Sequence, residues 1–79
     1  MVRLELRELT DEKVVYAYFP ENKLDHPGLV GLNRRTGKPL YIQDADCDPI
    51  KIYASQAFMR IQDYEKADDF KEIGAVCFY

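Results

Sequence analysis

The sequence is poor in the side chains that most reactions depend on. Its 79 residues include one histidine, His26, one serine, Ser55, and two cysteines, Cys47 and Cys77. No C-x-x-C or H-x-x-x-H spacing occurs, so a four-ligand zinc site is not expected. Two cysteines cannot build a disulfide framework, and in a reducing compartment both are expected as free thiols. There is no apolar run of 18 or more residues, which excludes a membrane-spanning helix. The opening stretch MVRLELRELTDEK is charged throughout and lacks the apolar core of a signal peptide, which leads us to expect a cytoplasmic protein. An excess of positive charge is also missing. Residues 1–40 carry seven Lys/Arg and six Asp/Glu, and residues 41–79 carry four and eight, giving +1 and −4 and the net charge of −3. That balance disfavours broad, non-specific binding to nucleic acid.

What is present is the material of one small globular domain. The hydrophobic fraction is 47% and the aromatic fraction 13%, more than a disordered chain would carry. A chain of this length buries only about 60% of its unfolded surface, so modest stability is expected. In residues 2–9, VRLELREL, Val2, Leu4 and Leu6 alternate with Arg3, Glu5 and Arg7. That period predicts a half-buried strand, and the charges suit a sheet edge. Thr10–Lys13 predicts a turn. VVYAYF, residues 14–19, is apolar on both faces and predicts a more central strand, stopped at Pro20. A polar loop, 20–28, precedes two short apolar segments, 29–34 and 39–43, joined through Arg35-Thr36-Gly37-Lys38. Gly37 supplies the left-handed residue such a hairpin needs.

Asp48-Pro49 predicts a helix start: the aspartate accepts from first-turn N–H groups and proline suits the first helical position. Downstream, Ile50, Tyr53, Ala54, Ala57, Phe58, Ile61 and Tyr64 form one apolar stripe at helical spacing, ending near Lys66 before Asp68-Asp69. IGAVCFY, residues 73–79, predicts a last strand. The order is β-β-β-β-α-β: an α+β fold with a mainly antiparallel sheet of about five strands and one helix packed on one face.

Several of these features occur together in a family of small bacterial proteins with no assigned activity, which the chain resembles over most of its length. They are Tyr16-x-Tyr18-Phe19-Pro20-Glu21, Pro27-Gly28, the Thr36-Gly37 hairpin, Tyr53-Ala54, Arg60-Ile61 and the Gly74-led apolar, aromatic ending. Related sequences carry Trp where Phe78 stands here. The resemblance implies this element order and a bacterial origin, and brings no catalytic residue with it.

Three candidates for chemistry remain. Asp44, Asp46 and Asp48 alternate as D-x-D-x-D. An EF-hand loop beginning at Asp44 would need glycine and glutamate where Pro49 and Ser55 stand, so no metal site is expected; the acids suit the positive end of the helix. Cys47 and His26 are the one conceivable nucleophile–base pair, and nothing in the sequence brings them together. The hairpin tip carries Arg34, Arg35 and Lys38, with Tyr41 close by as a ring that could stack on a base. Three cations make a small footprint, and the acidic second half would repel a polyanion.

The aromatic content points elsewhere. A helix of about 17 residues is roughly 25 Å long and 10 Å across. Five strands at about 4.8 Å spacing are roughly 20–24 Å wide. One helix therefore leaves a sheet face open, while VVYAYF and IGAVCFY are apolar on both faces. Contiguous exposed apolar surface usually marks an interface. We therefore expect a non-catalytic binding module acting as a homodimer, its interface including Tyr16, Tyr18, Phe78 and Tyr79, with no cofactor. A protein partner is a further possibility. The alternatives are a nucleic-acid-associated module using Arg34, Arg35, Lys38 and Tyr41, and a small enzyme whose site is assembled between two copies.

Overall fold

The computed structural model describes residues 2–21, 26–45 and 52–76. Five strands and one helix follow in the order β1 (Val2–Leu9), β2 (Lys13–Pro20), β3 (Gly28–Asn33), β4 (Pro39–Gln43), α1 (Ile52–Ala67) and β5 (Ile73–Val76). The strands form one antiparallel sheet in the order β4-β3-β2-β1-β5, with α1 packed against it, as an α+β fold requires. The Asp48-Pro49 helix start lies outside the described residues.

The apolar periods decide which side chains meet. Register places Val30, Tyr16 and Leu6 in one row, and Gly28, Tyr18, Leu4 and Gly74 in another. Both rows face the helix, where Val2, Leu4, Val14, Tyr16, Tyr18, Val30 and Leu32 form the core with Ala54, Ala57 and Ile61 of α1. Small alanines on the helix let its backbone come close to the sheet. Tyr53, Phe58 and Tyr64 flank them as half-buried residues of the same stripe. The helix closes in a Schellman motif: Asp69 N–H donates to Tyr64 O at 3.0 Å and Asp68 N–H to Glu65 O at 3.1 Å. Asp68 takes the left-handed conformation, φ 52°, that this cap demands.

Strand β1 is not an edge, contrary to the expectation from its charges. After the helix crosses the sheet, β5 pairs antiparallel with Val2–Glu5 of β1. Arg3, Glu5 and Arg7 instead form an ion-pair ladder, with Arg3 Nε–Glu5 Oε2 at 3.0 Å and Arg7 Nη1–Glu5 Oε1 at 3.5 Å. Arg3 and Glu5 lie on the face away from the helix. There, register sets Phe19 beside Arg3, Ala17 beside Glu5 and Val15 beside Glu8. Val15, Ala17 and Phe19 are all buried within one chain. This central strip is thus less open than one helix on five strands suggests; long charged side chains cover apolar neighbours with their stems.

Candidate functional site

The basic hairpin is the best-defined polar cluster, and its shape follows from local chemistry. Asn33 Oδ1 accepts from the N–H groups of Arg35 and Thr36, at 2.9 and 3.2 Å, and so holds the turn. Gly37 N–H reaches Asn33 O at 2.8 Å, and Gly37 sits at φ 78°, where a side chain would be strained. The tip is therefore built as its sequence predicts.

Its cations are differently disposed. Arg34 folds back onto the domain. Its Nε donates to Glu65 Oε2 of α1 at 3.0 Å, its Nη1 to Thr10 O of the first turn at 2.9 Å, and its guanidinium lies 5.0 Å from the Phe70 ring centroid. One side chain thus ties together the β3–β4 turn, the β1–β2 turn, the helix end and the approach to β5. To reach a ligand phosphate it would have to release those groups. Arg35 pairs with Glu12 Oε1 at 3.2 Å, both side chains being about 70% exposed, so that pair contributes at most about 1 kcal/mol. Lys38 is exposed at the end of the loop. Tyr41 is 45% exposed on edge strand β4, and register sets it in the row of Val30 and Tyr16. The structure therefore leaves Arg35, Lys38 and Tyr41 exposed at the surface and turns Arg34 inward.

The tyrosines expected at an interface lie in the core. Tyr16 and Tyr18 have no exposed surface. Tyr16 Oη donates to Lys71 O at 2.6 Å, and its ring lies 5.8 Å from that of Tyr64. Burial pushes the Tyr16 phenol far above its ordinary pKa, with Tyr64 and Asp69 adding to the effect. Tyr64 is raised too, again chiefly by burial. Tyr18 Oη accepts from Ala45 N–H at 3.1 Å. These hydroxyls satisfy backbone groups at the entry and exit of the helical connection, which explains why the central strand carries tyrosine instead of phenylalanine. Their placement corrects the sequence expectation: neither presents surface to a second chain. Phe78 and Tyr79 lie outside the described residues.

Asp44 is exposed beyond β4, whereas Asp46, Asp48 and Cys47 lie outside the described residues. Among the described residues no group of three or more His, Cys, Asp or Glu side chains is placed to hold a metal ion. His26 is exposed, and Ser55 lies on the exposed side of α1. No helix among the described residues is long and apolar enough to cross a membrane. An open groove of about 370 Å³ lies where β1 outruns β5, lined by Glu5, Leu6, Arg7, Glu8, Leu9, Glu72 and Ile73.

Sequence reasoning missed Glu65, Thr10 and Phe70 as partners of Arg34. They stand 31, 24 and 36 positions away, and no local pattern marks such a convergence. Compared with family models, with curated proteins and with solved structures, the chain matches none.

Proposed function

We propose that this chain is a non-catalytic binding module that acts as a homodimer in the cytoplasm of a bacterium, the origin that its family resemblance implies. One observation carries the reading. Leu9, Tyr41, Ile42 and Ile73 are 46, 45, 53 and 60% exposed, and all four lie on strands. Tyr41, Ile42 and Ile73 belong to the two edge strands, β4 and β5, and Leu9 ends β1 where β5 no longer accompanies it. Large exposed apolar side chains on the terminal strands of a sheet favour association with another chain.

Sedimentation equilibrium over a wide concentration range tests this. The expected result is a reversible monomer–dimer equilibrium. A strict monomer at every concentration would remove self-association, and with it the homodimer reading.

A further inference from the structure

We propose that two copies of the chain join by antiparallel pairing of β5 with β5, across a two-fold axis at Gly74. The inference rests on the homodimer reading and adds the surface and the register.

Strand β5 ends the sheet, and among the described residues β1 is its one strand neighbour. The direction of its backbone groups follows from the way it enters. Leu6 N–H donates to Glu72 O at 2.8 Å, so the Glu72 carbonyl points at β1. Peptide groups alternate from side to side along an antiparallel strand. Gly74, opposite Leu4, therefore also points at β1, while Ile73 and Ala75, opposite Glu5 and Arg3, direct their N–H and carbonyl groups outward. Both side chains are exposed, Ile73 at 60%. Sheet edges are commonly blunted by charge, proline or a bulge. The other terminal strand has Pro39, with Lys38 just before it and a bulge at Ile42. Strand β5, IGAV, has none of these devices.

A two-fold axis at Gly74 places Ile73 opposite Ala75 of the second copy, and Ala75 opposite the second copy's Ile73. Each of these pairs exchanges N–H and carbonyl bonds in both directions, so every outward donor and acceptor of β5 finds a partner. Each large isoleucine meets a small alanine, which suits the strand to a copy of itself. Charge agrees with the register. Along one row across the interface stand Glu5 and Ile73 of one copy, then Ala75 and Arg3 of the other, so no like charges face each other. On the helix side a Cβ at Gly74 would run into the Tyr64 hydroxyl, so that hydroxyl rests directly on the strand. Residues paired across the axis as Gly74 would be have Cβ positions about 4.5–5.5 Å apart. The two Tyr64 hydroxyls then meet over the axis, within reach of a direct bond or one bridging water. Pairing here would continue the sheet through both copies, keep both helices on one face and cover Ile73.

The test is sedimentation equilibrium on the full chain and its variants. Ile73→Lys sets two like charges diagonally across the axis, roughly 7–8 Å apart, and is expected to weaken dimerisation roughly tenfold. Ala75→Glu does the same with acids. Ile73→Lys/Ala75→Glu puts each introduced lysine directly opposite an introduced glutamate of the other copy, and is expected to return the dimer to within about threefold of the parent. Glu5 and Arg3 stand beside these positions on β1, so the monomer accepts both charges. Ala75→Pro removes an outward N–H while sparing the β1–β5 bonds, and is expected to abolish the dimer. A parent that dimerises regardless of these substitutions would overturn β5 pairing and leave the homodimer reading standing. A double variant no stronger than the single ones would overturn the axis at Gly74. A parent that never dimerises would remove both the pairing and the homodimer reading. Should Ala75→Pro fail to fold, the charge variants decide the matter alone.

Discussion

Strands β2 and β4 both carry β-branched and aromatic residues and are free of acids. Their surroundings are opposite. Every residue of β2 from Val14 to Pro20 is buried. In β4 only Leu40 is even half-buried. The difference lies in the neighbours: β2 has a strand on each side and the helix-side core above it, whereas β4 ends the sheet. Burial in this protein is a property of position in the sheet more than of composition. The same contrast separates two tyrosines. Tyr18 fills the core and accepts a hydrogen bond from Ala45 N–H, while Tyr41 stands nearly half exposed at the edge.

Removing the ring at each place sharpens that contrast most. Tyr18→Ala should cost about 3–5 kcal/mol, since it empties a core site and leaves a buried N–H without its acceptor. Tyr41→Ala should change monomer stability by no more than about 0.5 kcal/mol. Urea denaturation at low protein concentration measures both, and comparable losses would break the distinction between core and edge. Gly28 belongs to the same core site: a Cβ there would run into the Tyr18 ring, so strand β3 is shaped around that side chain.

The next effect tests whether the hairpin tip belongs to the fold or to a ligand. Arg34→Ala should destabilise by about 1–2 kcal/mol, because an ion pair, a bond to a turn carbonyl and a cation–ring contact vanish together. Arg34→Lys should recover little of it, since an ammonium cannot reproduce the planar fork. Arg35→Ala, at an exposed pair, should be close to neutral. Equal effects at the two arginines would show that the inward fold of Arg34 contributes nothing.

The smallest effect concerns the buried phenol. Tyr16→Phe should cost about 1 kcal/mol at neutral pH, through the bond lost to Lys71 O. The pH dependence is more telling. In the folded protein Tyr16 keeps its proton well above the ordinary tyrosine pKa of about 10. Once pH exceeds that value, the unfolded chain sheds protons that the native chain retains, and stability present below it declines. Denaturation midpoints between about pH 8 and 11 should therefore fall less steeply in Tyr16→Phe than in the parent. Tyr64, also raised, keeps part of the slope. An unchanged slope would mean that Tyr16 ionises as freely as a surface tyrosine.

Much of this architecture is legible in the residues themselves. Alternation in VRLELREL and the doubly apolar VVYAYF define β1 and a central β2, and Asn33 to Gly37 define the hairpin. The stripe from Tyr53 to Tyr64 defines the helix and its buried face. In each case the deciding interactions lie within a few positions along the chain. The candidate site was read less well. Arg34 looks like its neighbour Arg35 in sequence, yet one is an internal tie and the other a surface charge. Tyr16 and Tyr18 looked suited to an interface because tyrosine tolerates half-exposure, but Lys71 O and Ala45 N–H hold their hydroxyls inside.

The sequence by itself determined element types, their order, the apolar face of the helix and the hairpin. Only the tertiary structure decided that β5 returns beside β1, that the charges of β1 line the face away from the helix instead of an edge, and that β4 ends the sheet. The physical reason is range. Periodicity, caps and turns report contacts between near neighbours in the chain. Strand order and the destination of a long side chain depend on contacts between segments tens of residues apart, whose partners exist only once the sheet has assembled.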